Sequence, residues 1–192
     1  MKYAEQINFS GILFDTLFGL ILFFSLDSFF EITDMYHLIL YVFTTFIIIH
    51  WWLEFKSVDD TFGAEVNKSL IDLLLGAIYI ILIELIVFYS KIFDFVGISL
   101  ALLAVFTIDL IWSIIWRYVG KWETKDIKKI KMMEMELDRG IKMNSVIILL
   151  LMLLIALIPF LTPARFVIFF ITIYLFYAAL TFRYKIIDIR VF

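Results

Sequence analysis

The sequence contains no cysteine. Disulfides, thiolate metal sites, iron–sulfur clusters and cysteine nucleophiles are therefore excluded. Two histidines in 192 residues argue against a haem or a multi-histidine metal centre, and no cofactor is expected. Charge is scarce as well. Only 18% of residues are Asp, Glu, Lys or Arg, against about 25% in an average soluble domain. The net charge of −3 offers no basic field for nucleic acid. Two prolines and seven glycines are few; transporters built on broken helices generally need more of both. Motifs are missing too. There is no Gly-rich phosphate loop, no His-Glu-x-x-His and no Gly-x-Ser-x-Gly elbow. Nothing supplies a nucleophile beside the aspartates and His50. The expectation is a protein that is not an enzyme.

What the sequence does have is apolar mass. Hydrophobic residues make up 64%, 22 of the residues are Phe, and the mean hydropathy is +1.04. A soluble globule of this size could not bury so much apolar surface. A membrane-spanning helix needs about 20 apolar residues. Six such runs can be read, at about Phe9–Phe30, Leu38–Phe55, Leu70–Tyr89, Phe93–Trp116, Ser145–Leu161 and Ala164–Phe182. The fold class is thus all-α: one polytopic transmembrane domain over residues 1–192, with no room for a separate soluble module. The third and fourth spans are separated only by Ser90-Lys91-Ile92, which predicts a tight hairpin. The fifth and sixth meet at Pro159–Pro163, where proline stops the helix.

Basic residues set the orientation. Lys56 and Lys68 lie between spans two and three. Arg117, Lys121, Lys125, Lys128, Lys129, Lys131, Arg139 and Lys142 lie between spans four and five, and Arg183, Lys185 and Arg190 in the tail. The other side has only Lys91 and Arg165, with Glu31 and Asp34. Both termini are expected in the cytoplasm of a cell-membrane protein. The first span is too long for a signal-peptide core and should remain as an anchor. Spans four to six do not make a voltage-gated potassium channel: span four lacks an arginine ladder, and no TVGYG-like filter follows.

Residues 120–144 form the one long polar stretch. Ile130, Met133, Leu137 and Ile141 recur at helical spacing, which predicts a cytoplasmic amphipathic helix. It reads as an extension of the fourth helix that turns back into the fifth. The sharper alternatives are an interfacial helix on anionic lipid, an oligomer contact, or a surface for a cytosolic protein partner.

Charged groups at bilayer depth are costly and face a partner or water. Asp15, His50, Asp72 and Asp109 fall in the cytoplasmic third of their spans, and with Asn67 just before span three they could form one polar network. It serves either to fix helix register through hydrogen bonds from His50, Trp51, Trp52, Trp112 or Asn67, or as a proton or cation relay. Glu84 stands apart near the middle of span three and is a candidate proton site. On the first span, Leu20, Phe24 and Asp27 share one face at i, i+4, i+7 spacing, while Asp15, Gly19 and Leu22 share another. The Asp15 face would pack and the Leu20 face would line a pore, where bulky apolar side chains gate by dewetting. The alternative is that Leu20 and Phe24 are ordinary packing or lipid-facing residues.

The stretch Phe14-Asp15-Thr16-Leu17-Phe18-Gly19-Leu20-Ile21-Leu22 resembles the first helix of the prokaryotic six-helix family related to the lysosomal transmembrane potassium channel. Asp15 matches the Asp of the family's Phe-Ser-Asp motif, and Leu20 its apolar pore constriction. Thr45-Phe46 with His50, Trp51, Trp52 and Phe55 resembles the second helix, and Asn67 the family Asn before the third. Phe14 stands where the family has Ser, and Phe9 roughly where it has Arg. The resemblance covers about residues 9–75. It implies a tetrameric potassium-permeable channel with its pore along helix one.

The resulting expectation is a homo-oligomeric cation channel in membrane lipid. Leu20 and Phe24 would form the constriction, Asp27 would draw cations to the outer mouth, and Asp15, His50 and Asn67 would be packing residues. Two alternatives stay open. One is a non-catalytic scaffold or effector working through residues 120–144. The other is a proton-coupled transporter using Asp15, Asp109 and Glu84.

Overall fold

The computed structural model describes residues 15–23, 29, 32–62, 70–118 and 126–189; for 54–62, 70–73, 129 and 182–189 it describes the backbone alone. Within these residues every regular element is helical. We number them α1 (15–23), α2 (Met35–Phe62), α3 (Leu70–Lys91), α4 (Phe95–Tyr118), α5 (Ile127–Leu157) and α6 (Pro163–Ile189). Five of them, α2 to α6, are long and apolar enough to cross a membrane. The protein is a helical membrane protein. The expected first span, about 9–30, lies largely outside the described residues, and α1 is its described part.

The spans lengthen where no breaker intervenes. Between Met35 and Phe62 there is neither Pro nor Gly, so α2 runs past Phe55. The same holds for α6 after its initial Pro163, which sits where its missing N–H costs nothing. The largest difference concerns residues 120–144: from Ile127 onward they are helical, as their spacing predicts, but they extend the fifth helix and not the fourth, as the first half of α5, one rod of 31 residues. Gly140 is the only weak helix former of the Gly/Pro kind in that rod, and Ser145 keeps its hydroxyl on the Ile141 carbonyl (2.7 Å). At about 1.5 Å per residue α5 is roughly 46 Å long, well beyond a hydrocarbon core of about 30 Å. Residues 120–125 lie outside the described residues.

The helices form a closed ring in the order α2, α3, α4, α5, α6, with α6 returning to α2. The packing of α4 against α3 and α5 is the most extensive. Small residues permit it: a Cβ on Gly140 would stand 3.3 Å from Ser113 Oγ across the α4–α5 contact. Aromatic rings fill the middle. Trp51 of α2 meets Phe106 of α4 edge-on at 5.6 Å, and Phe106 meets Tyr177 of α6 at 5.3 Å. One apolar cavity of about 20 Å³ lies among Trp51, Phe106, Leu151 and Tyr177. In α1, Phe18 and Ile21 join this core.

Two short turns close one end of the ring. Between α3 and α4, Phe93 takes a left-handed conformation (φ 59°) that reverses the chain. The rings of His37 and Phe95 pack on it at 4.8 and 4.7 Å. Asp94 then caps α4, accepting from the Val96 and Gly97 amides at 3.1 and 3.0 Å. Only glycine fits at 97, because a Cβ would overlap the Tyr89 ring and approach Asp94 Oδ2 at 2.7 Å. Between α5 and α6 a 3-10 turn, Ile158–Phe160, leads to Thr162, whose hydroxyl caps α6 at Arg165 N (3.4 Å).

Candidate functional site

Threonine hydroxyls on the spans are mostly spent on their own helix. Thr44, Thr45, Thr107, Thr172 and Thr181 each donate to the carbonyl four residues back, at 2.7 to 3.1 Å. This is how a hydroxyl is satisfied where lipid offers no partner. The side chains that can do more are the carboxylates, amides, indoles and imidazoles.

Three of the expected polar residues take part in three different helix–helix contacts. Trp52 Nε1 donates to Asp15 Oδ1 at 2.9 Å, joining α2 to α1. Asn144 Nδ2 donates to Asp109 Oδ2 at 2.7 Å, joining α5 to α4. His50 packs edge-on against Tyr174 and Tyr177 of α6 at 5.8 and 5.9 Å. Asn67 lies outside the described residues, and Asp72 is placed by its backbone only, in the first turn of α3.

Asn144 is the group that sequence reasoning missed. It is 2% exposed, yet it stood at the edge of the polar stretch and looked solvated. His37 was missed as well. It begins α2, where its amide donates to Asp34 Oδ1 (2.8 Å), and its Nε2 donates to the Ser90 carbonyl at the end of α3 (2.9 Å). The signal available in the sequence was Asp34 three residues before it, a helix-capping spacing.

The faces of α1 differ from expectation. Phe18 and Ile21 are buried, Leu22 is half-buried, and Asp15, Thr16, Gly19, Leu20 and Phe23 are exposed. Asp15 and Gly19 therefore do not form the packing face. The bulk of Phe18 and Ile21 decides the rotation of the helix, and Asp15 reaches Trp52 from its edge. Leu20 points outward and is 48% exposed. Phe24 and Asp27 lie outside the described residues.

Glu84 also points outward. It lies seven residues before Lys91, about 10 Å along the helix. Leu74, Ile78, Ile81 and Phe88 flank it on the exposed face of α3. An acidic side chain at bilayer depth costs about 2.5–3.5 kcal/mol on insertion scales. Glu84 thus faces away from the interior of the described helices.

The far end of the ring is ionic. Arg117, near the end of α4, meets Asp138 (Nε to Oδ1, 2.9 Å) and Glu134 (3.3 Å) on α5. Arg139 pairs with Glu136 one turn away at 3.0 Å. Ile127, Lys128, Lys131, Met135 and Lys142 are exposed along the same part of α5. Among the described residues no group of three or more His, Asp or Glu could hold a metal ion. The cavity of about 20 Å³ is far below the 300–1,000 Å³ usual for ligand pockets. Set beside known proteins, this helical membrane chain matches no family model, no curated sequence and no solved structure.

Proposed function

We propose that this membrane protein works as a homo-oligomer that passes cations, potassium among them, along an axis lined by α1. The observation that carries the proposal is the outward face of α1: Thr16, Leu20 and Phe23 are exposed while Phe18 and Ile21 anchor the helix in the core. The packing supports it from the other side: among the described residues the rings of Trp51, Phe106 and Tyr177 meet in the middle of the helix ring, and the proposed path runs instead on an axis between copies. Leu20 is then the apolar constriction, gating by dewetting. Phe24 and Asp27, which lie outside the described residues, share its row by sequence spacing alone. Asp15 is a positioning residue: its bond from Trp52 sets how α1 is turned on α2. The resemblance of residues 14–22 to the lysosomal-type potassium channel family points the same way.

Planar-bilayer recording of the purified protein tests this. The absence of native cysteine makes Leu20→Cys a single label site. The expected result is a cation current that a positively charged thiol reagent blocks in Leu20→Cys and leaves unchanged in the parent. No cation current, or a Leu20→Cys current indifferent to the reagent, refutes the proposal.

One observation favours a second reading. Ile127, Lys128, Lys131, Met135 and Lys142 give the projecting part of α5 an exposed face that is both basic and apolar. Such a face suits anionic lipid or an acidic cytosolic protein. Because this segment is half of α5, its test is Lys128, Lys131 and Lys142→Gln together, not a deletion. Unchanged binding to anionic vesicles and to cytosolic proteins would remove this reading.

A further inference from the structure

We infer that α3 is a membrane-embedded interface between two copies of this chain, closed by a pair of Glu84 carboxyl groups. The inference does not depend on conduction along α1. The outward face of α3 runs through Leu74, Ala77, Ile78, Ile81, Glu84 and Phe88, and each of these is exposed. It is a continuous apolar stripe interrupted once, within the bilayer, by a carboxyl group. Lipid tails can cover the apolar part but offer nothing to a carboxyl. Whatever covers Glu84 must therefore lie in the membrane, carry a hydrogen-bonding group and hold it at the same depth.

A second copy meets all three conditions without further design. Two chains inserted in the same orientation are related by a two-fold axis along the membrane normal. That axis places every residue opposite its own counterpart at equal depth, whatever the helix tilt. Glu84 thus faces Glu84 of the other copy. A pair of carboxyl groups holding at least one proton is self-complementary: one O–H donates and the other carboxyl oxygen accepts. Interhelical hydrogen bonds of this kind hold transmembrane helices together. Ala77, the small residue of the stripe, lies seven positions before Glu84, on the same side of the helix, and allows close approach there.

Cross-linking of purified protein in phosphatidylcholine vesicles tests this, using the cysteine-free background. Ile81→Cys and Phe88→Cys flank Glu84 on the stripe. Leu153→Cys on α5 and Leu175→Cys on α6 are exposed controls on other faces. Oxidation should give covalent dimers with Ile81→Cys and Phe88→Cys and not with the controls. In the same background Glu84→Gln, whose amide is also self-complementary, should keep the dimer. Glu84→Leu should weaken dimerisation about tenfold. Equal helix content by circular dichroism shows that each variant is folded. Cross-linking of residue 81 to residue 175 in mixed samples, no cross-linking at 81 or 88, or undiminished dimer in Glu84→Leu would each overturn the inference.

Discussion

Buried Asn144 and half-buried Asp109 form a polar contact whose two halves depend on each other. Asn144→Ala removes the donor and leaves the Asp109 carboxylate short of a bond in a low-dielectric contact. The expected loss of stability is about 1–3 kcal/mol, measured by denaturant titration of the purified protein in mixed micelles. Asn144→Asp should be worse than Asn144→Ala, because it sets a second carboxylate 2.7 Å from the first. At this scale the sequence was partly legible. Asp15, His50 and Asp109 stood out because charged and imidazole groups are rare in apolar runs. Trp52 is among the donors the sequence offers, but the carboxylate it serves is not legible there, and Asn144 does not stand out at all. The two lie 37 and 35 residues from the groups they touch, and such distances are set by the packing of whole helices. The rotation of α1 was misjudged for a related reason. Spacing identifies faces, but the side-chain volumes of Phe18 and Ile21 decide which face goes in.

Most helices were readable from hydropathy, because about 20 apolar residues in a row have few other uses. The exception is instructive. Charge changes abruptly near Asn144, and the sequence suggested two elements there. A helix backbone does not respond to that change. Lys, Glu, Met and Leu are all good helix formers, so α5 passes from charged to apolar surroundings without a break. Its charged half is held to α4 by Arg117 through Asp138 and Glu134. Arg117→Gln should loosen that end and spare the remainder. Hydrogen exchange should then rise in residues 127–138 while 147–154, packed in the core, stay protected. Equal exchange along the whole of α5 in the variant and the parent would show that the ion pairs hold nothing.

For the molecule as a whole, the bias of basic residues predicts which end of the ring meets the cytoplasm. Met35 opens α2 at the end closed by the two short turns, and Ile127 opens α5 at the opposite, ionic end; both are largely exposed. In intact cells an impermeant maleimide should label Met35→Cys directly. It should label Ile127→Cys only after permeabilisation. The reverse pattern would turn the protein over and move Asp15 to the outer side. Composition made the membrane setting legible; the closed ring and the aromatic contacts at its centre were not, because they follow from which helices touch.

The length of α5 also has a mechanical meaning. Its polar half and its lipid-crossing half share one hydrogen-bonded backbone, and no hinge separates them. A pull on Lys128 or Lys131 would therefore act on a helix whose other half carries Ile147 and Leu151 into the core. The Asn144–Asp109 contact lies between the two halves. A force on the charged half would thus be shared between α5, which continues toward the core as one helix, and α4, to which Arg117 ties that half.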